Sequence, residues 1–170
     1  MRIAVHAFDG VTMFHLSIPQ MVFGTVSRLG LANWRVSLFT TDFEPAPSTG
    51  DSTDSACTDR ADPAQPSDPA TPAASPPSAS IRTSEGYVLS GLGGPDLAGE
   101  ADVVVVPAWF ADGRPAGRRL RSLLKAAHAR GASVVGLCLG AIPLAEAGLI
   151  GGRRAVTHWR AFEPLAREHP

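Results

Sequence analysis

The sequence is short of the features that mark several large classes of protein. Cysteine occurs twice in 170 residues, as Cys57 and Cys138, in very different surroundings. A disulfide framework is therefore not expected, and both thiols are expected to be reduced in a cytoplasmic protein. Neither cysteine has a second cysteine or a histidine at metal-finger spacing, so no metal is expected, and no cofactor. No apolar run reaches the roughly 18 residues of a membrane span, and Met1 to Phe8 lack the apolar core and small-residue cleavage pattern of a signal peptide. A formal net charge of -1 supplies no bulk basic field of the kind that holds nucleic acid.

What remains alternates between apolar runs and helical periodicity. Arg2 to Ala7 reads as a buried strand followed by the turn Phe8-Asp9-Gly10-Val11-Thr12. Leu16, Pro19, Val22, Phe23, Val26 and Leu29 then recur at helical spacing, closed by Gly30. Trp34 to Thr40 follows as a second strand. This βαβ unit predicts a parallel sheet. From Glu44 to about Ser80 prolines alternate with Ser, Thr, Ala and Asp, a composition too polar to build a core, and a disordered acidic insertion is expected there. Ile81 to Ser90 reads as a hairpin or pair of edge strands around Gly86, and Gly91 to Gly94 as a loop. Ala101 to Pro107, with four consecutive valines, fits a central strand covered on both faces. A helix is predicted from Pro115 to Arg130, ended by Gly131, with its arginines on a solvated face.

The chemistry concentrates at Gly136-Leu137-Cys138-Leu139-Gly140. A short β-branched run from Ser133 leads into it, and Ala141 to Leu149 leads out as a helix with Pro143 in its first turn. Cys138 is thereby placed on a strand-to-helix turn. The glycines two residues either side have the spacing of a nucleophile elbow, where missing side chains let the backbone bend and leave the sulfur exposed. A helix start favours thiolate over thiol. The competing reading is a small cysteine packed in a core. Beyond the elbow, Gly151 to Trp159 implies a turn, a short strand and a polar-aromatic cluster, and Ala161 to Glu168 a further helix.

Phe14-His15-Leu16-Ser17-Ile18-Pro19 with Val22-Phe23, the strand from Asp102 to Pro107, the Cys138 elbow, and the run from Ala147 through Thr157-His158-Trp159 together cover most of the chain outside the insertion. On these segments the chain resembles the ThiJ/PfpI superfamily, part of the class I glutamine amidotransferase-like fold, and within it the N-terminal domain of GlxA-type regulators of the AraC family. The resemblance implies a flavodoxin-like three-layer α/β sandwich: a parallel sheet with helices on both faces, here C-terminally incomplete and forming one domain over residues 1–170. It also implies that DNA is bound only through a downstream helix-turn-helix pair, which this sequence does not contain. Pro170 falls before the usual closing strand and helix, so a fragment, a truncated product or a decayed regulator is expected, one that does not bind operator DNA by itself.

Two departures touch the chemistry. His15 stands where the superfamily usually has Asp or Glu, and Leu139 stands where peptidase-like members have histidine after the cysteine. A Cys138–His15 dyad is chemically sensible, since an imidazole can take the thiol proton or stabilise the thiolate. The competing reading is a histidine tolerated where no catalysis is needed. Oxyanion-type donors would come from the Leu139 amide, beside Gly140, and from the loop at Ala108-Trp109, where Ala108 replaces a frequent glycine. Trp109 and His158 are candidates to line the crevice, with packing and a structural hydrogen bond as their plainer roles. The leading expectation is a domain that senses a small molecule, acts as a homodimer, and has no contact with a membrane. The alternatives are a Cys138-dependent hydratase or hydrolase, and a thiol redox sensor.

Overall fold

The computed structural model describes residues 1–42 and 79–170. The expected disordered insertion, with Cys57, lies outside the described residues except at its end. Ala79 and Ser80, placed in the insertion from composition, belong instead to a strand.

Strands β1 (Arg2–His6), β2 (Arg35–Phe39), β5 (Val103–Val106) and β6 (Ser133–Gly136) form a parallel sheet in the order β2-β1-β5-β6. This is the doubly wound order in which connections leave the first strand in opposite directions, so a crevice opens at the carboxyl ends between β1 and β5. Val103 to Val106 are all buried, as a continuous valine run covered on both faces requires. Ile3, Val5, Val103 and Val105 face one layer, built by helix α1 (Met13–Arg28) and the antiparallel hairpin of β3 (Ala79–Arg82) and β4 (Val88–Leu92). Ala4, Val104 and Val106 face the other, built by α2 (Asp96–Gly99), α3 (Arg118–Ala129) and α4 (Ala141–Glu146). The three-layer α/β sandwich is therefore present.

Helix α1 starts at Thr12, whose hydroxyl accepts a hydrogen bond from the His15 amide, one of the donors that a helix start leaves unpaired. Pro19 is tolerated inside it, at the cost of the amide that would have bonded the His15 carbonyl. Leu120, Leu124 and Ala127 bury one stripe of α3, and Gly131 beyond its end has φ +93°. Helix α5 (Phe162–Glu168) buries no residue and follows a short 3-10 turn at Trp159–Ala161.

Three local expectations are corrected. Gly91 and Leu92 are not loop but the end of β4, with Leu92 buried in the core. Gly93 then bonds both neighbours of Phe39, through its amide to Leu38 O and its carbonyl from Thr40 N, each 3.1 Å. Residues 151–159 contain no strand; the segment has no ladder partner and touches the elbow through the Thr157 hydroxyl, which donates to Cys138 O. The helix expected to reach Leu149 ends at Glu146, where Gly148 at φ +71° turns the chain away.

The tightest packing in the sheet is at the elbow. A Cβ on Gly140 would run into the Val106 carbonyl oxygen, and one on Gly136 would lie 2.7 Å from Gly140 O. Gly140→Ala is expected to lower stability by about 3 kcal/mol, since backbone rather than a movable side chain would have to shift. Gly24→Ala, in open space on α1, should raise it by about 0.5–1 kcal/mol. Urea midpoints of the two variants check both signs.

Candidate functional site

The elbow puts Cys138 at the carboxyl end of β6. Leu137 N donates to Val106 O at 2.9 Å and Gly140 N to Leu137 O at 2.7 Å, which closes Cys138–Gly140 into a 3-10 turn before α4. Cys138 has φ +54° and is the only non-glycine at positive φ among the described residues. For a residue with a Cβ this conformation costs on the order of 1–3 kcal/mol, and such strain persists where surrounding contacts over-determine it. Here those contacts are the two glycine approaches and a hydrogen bond of 3.0 Å from Thr157 Oγ1 to the Cys138 carbonyl. Cys138 is a free cysteine and is half-buried.

That Thr157 bond also draws in its neighbour. His158 Nδ1 accepts from Arg160 N at 3.2 Å, and its ring stacks on Trp159. His158 is close enough to His15 for the two charges to repel. His15 in turn has Nδ1 2.6 Å from Thr12 Oγ1, which leaves Nε2 as the ring nitrogen available to a partner. Burial lowers the His15 pKa, Glu85 raises it and His158 lowers it again. The net effect is an imidazole that favours the neutral form. No hydrogen bond joins His15 to the Cys138 sulfur among the described residues; the structure connects them through Thr157 and His158 rather than as a bonded pair.

Ala108 is buried, and its amide nitrogen lies 3.4 Å from where a Gly140 Cβ would stand. The loop after β5 therefore reaches the elbow. Trp109 turns elsewhere: its indole donates to Arg114 O at 2.9 Å, and its ring packs with Phe8, Phe110 and His6. A cleft of about 860 Å³ lies to the side, lined by Val156, Thr157, Trp159, Arg160 and Phe162. It meets the elbow at Thr157 and is lined by neither Cys138 nor His15.

Sequence reasoning missed four residues here. Thr12 and Thr157 are polar groups whose partners become visible only once the chain is folded. Glu85 sits on the hairpin turn, and both its carboxylate oxygens lie 3.2 Å from Met13 N. His6 is fully buried at the end of β1, stacked with Phe8 and tilted against Phe39, with Nε2 3.4 Å from Thr41 Oγ1 and no partner for Nδ1. The only available signal was that a strand otherwise apolar ends in histidine. No group of three or more His, Cys, Asp or Glu side chains among the described residues is arranged to hold a metal ion. Nor is any described helix long and apolar enough to cross a membrane.

No protein-family model matches the chain. A Streptomyces lividans protein described as the uncharacterized protein in the cpoL 5′ region is 30% identical over 169 residues, 99% of this chain and 95% of that protein. The HTH-type transcriptional regulator CdhR of Pseudomonas aeruginosa is 32% identical over 99 residues, which span 49% of this chain and 30% of the regulator. Among solved structures, an AraC family transcriptional regulator from Pseudomonas putida superposes with a TM-score of 0.68 at 16% identity, over 99% of this chain and 72% of that one. A ThiJ/PfpI family protein from Pseudomonas syringae gives 0.62 at 18% identity, over 97% of this chain and 53% of that one. At these identities the structural likeness establishes the shared fold.

Burial holds the His6 pKa down at about 3, against 6.5 when unfolded. The fold therefore disfavours its charged form, so the stability is complete above pH 6.5 and is lost as pH falls from there toward 3, by about 5 kcal/mol in full. A His6→Leu variant should lose less stability than the parent between pH 6.5 and 4, measured by urea unfolding at each pH.

Proposed function

We propose that this chain, which belongs to the same family as the Streptomyces lividans protein, is a regulator-type ThiJ/PfpI domain that senses a small molecule beside Cys138. The observation that carries this reading is the strained Cys138 on its strand-to-helix turn at the carboxyl ends of the sheet. The loop after β5 reaches the same turn, and the carboxyl ends of the strands are where open α/β sheets bind ligands. Polar groups are few and local: Thr12, His15, Thr157 and His158. In this reading DNA is contacted through a separate helix-turn-helix module, and the role of this domain is to report ligand occupancy. The likeness to an HTH-type regulator and to an AraC family structure supports that assignment.

A homodimer is part of the proposal. Helix α1 buries Leu16 and Pro19 inward, yet Phe14, Met21 and Val22 on its outer side are 68%, 63% and 58% exposed. A helix apolar on both sides calls for a partner on each. A second reading, in which Cys138 acts as a nucleophile or is oxidised, is favoured by the same positive φ, which stores strain where thiol chemistry would use it.

Three measurements test these points. A metabolite that raises the parent's melting temperature by about 5 °C at 100-fold its Kd should shift Cys138→Ser and His15→Ala less. Equal shifts in all three proteins would remove the site. Met21→Glu with Val22→Glu should lower the mass seen by light scattering from dimer to monomer, and an unchanged mass would remove α1 as the interface. Alkylation of Cys138→Ser at the parent's rate would remove the thiol chemistry.

A further inference from the structure

The first turn of α1 carries no acidic residue of its own. A helix start with unpaired amides and a positive dipole end favours a carboxylate, and here one arrives from another element. Glu85, on the turn between β3 and β4, spans Met13 N with both oxygens at 3.2 Å. Its approach is held by a set of bonds between the hairpin and the β1–α1 loop. Arg82 O accepts from Gly10 N at 2.8 Å, Asp9 Oδ1 accepts from Arg82 N at 2.7 Å, and Val11 O accepts from Ser84 N at 3.1 Å. Within the same turn, Thr12 Oγ1 holds both the amide and the ring of His15.

We infer that Glu85 is a positioning residue for His15: the hairpin delivers its carboxylate to the Met13 amide in the first turn of α1, and so orders the turn whose Thr12 holds the His15 ring. Two charged groups bear on this ring from the elements around it, Glu85 from the hairpin and His158 from the segment before α5, and they act in opposite senses. Glu85 favours the imidazolium; His158 and burial oppose it. The balance gives the site a carboxylate although none stands at position 15. The inference rests on the sensing reading only for its consequence, because the test reads His15 itself.

The experiment is an NMR titration of the His15 ring in the full chain. Glu85→Gln keeps an acceptor for Met13 N and removes the charge, so the His15 midpoint should move to lower pH. His158→Gln should move it to higher pH. Ser84→Pro removes the amide that bonds Val11 O and so perturbs the same hairpin contacts while leaving Glu85 and Asp9 charged, and should leave the midpoint in place. An unchanged midpoint in Glu85→Gln overturns the inference, as does an equal downward movement in Ser84→Pro, which would trace the effect to loosening of the hairpin. Loss of the ligand-dependent thermal shift in His15→Ala is a separate readout, so either conclusion can fail without the other.

Discussion

The approach of the Cys138 turn to the backbone of β5 constrains everything built around it. Gly140 lies against the Val106 carbonyl and Gly136 against Gly140, so two side chains are missing where backbone meets backbone. With the chain pinned at both glycines, the residue between them has little conformational choice, and Cys138 takes a left-handed φ that would otherwise be avoided. The same bend sets the start of α4 and leaves the Cys138 carbonyl facing outward. Thr157 reaches that carbonyl and brings the otherwise unpaired 151–158 segment alongside. A steric rule about glycine thus decides where the Cys138 carbonyl meets the Thr157 hydroxyl.

A second set of contacts frames the opposite wall. The β3–β4 hairpin does not join the main sheet by a full ladder; it sits on the β1–α1 loop through backbone and carboxylate bonds from Asp9, Gly10, Val11 and Met13. Beneath that loop, His6, Phe8, Trp109 and Phe110 pack as an aromatic cluster between the ends of β1 and β5. Trp109 takes part in that packing, with its indole held by Arg114 O. Polar function is displaced toward the first turn of α1 and the elbow, where Thr12, His15 and Thr157 remain within reach of solvent.

Much of the fold was legible because it rests on period and composition. The valine run of β5, the spacing of Leu16, Pro19 and Phe23, and glycines at helix ends all encode local structure that burial then reinforces. The hairpin around Gly86 was visible for the same reason. Partners decide the rest: Leu92 looks like loop until Ala79 of β3 pairs with it, and the run from Gly151 to Trp159 looks as if it holds a short strand although none forms there. At the site, Cys138 and its flanking glycines could be named from spacing, whereas Glu85 and His6 could not. One is a carboxylate on a turn and the other a histidine on an apolar strand, and neither carries a mark of its eventual neighbours.

The sequence by itself determined that a cysteine would sit on a sharp strand-to-helix turn, because only glycine at 136 and 140 permits the backbone to close so tightly. It also determined a parallel sheet, since apolar runs alternating with helical periods have few other ways to bury both faces. Tertiary structure alone decided which polar groups surround the thiol. Glu85 is far along the chain from Met13, and Thr157 from Cys138 and His158 from His15, so these pairs come together only after the hairpin, α1 and the elbow are packed. Local propensity acts over a few residues, whereas the His15 imidazole is influenced by burial and by groups some 70 and 143 positions away.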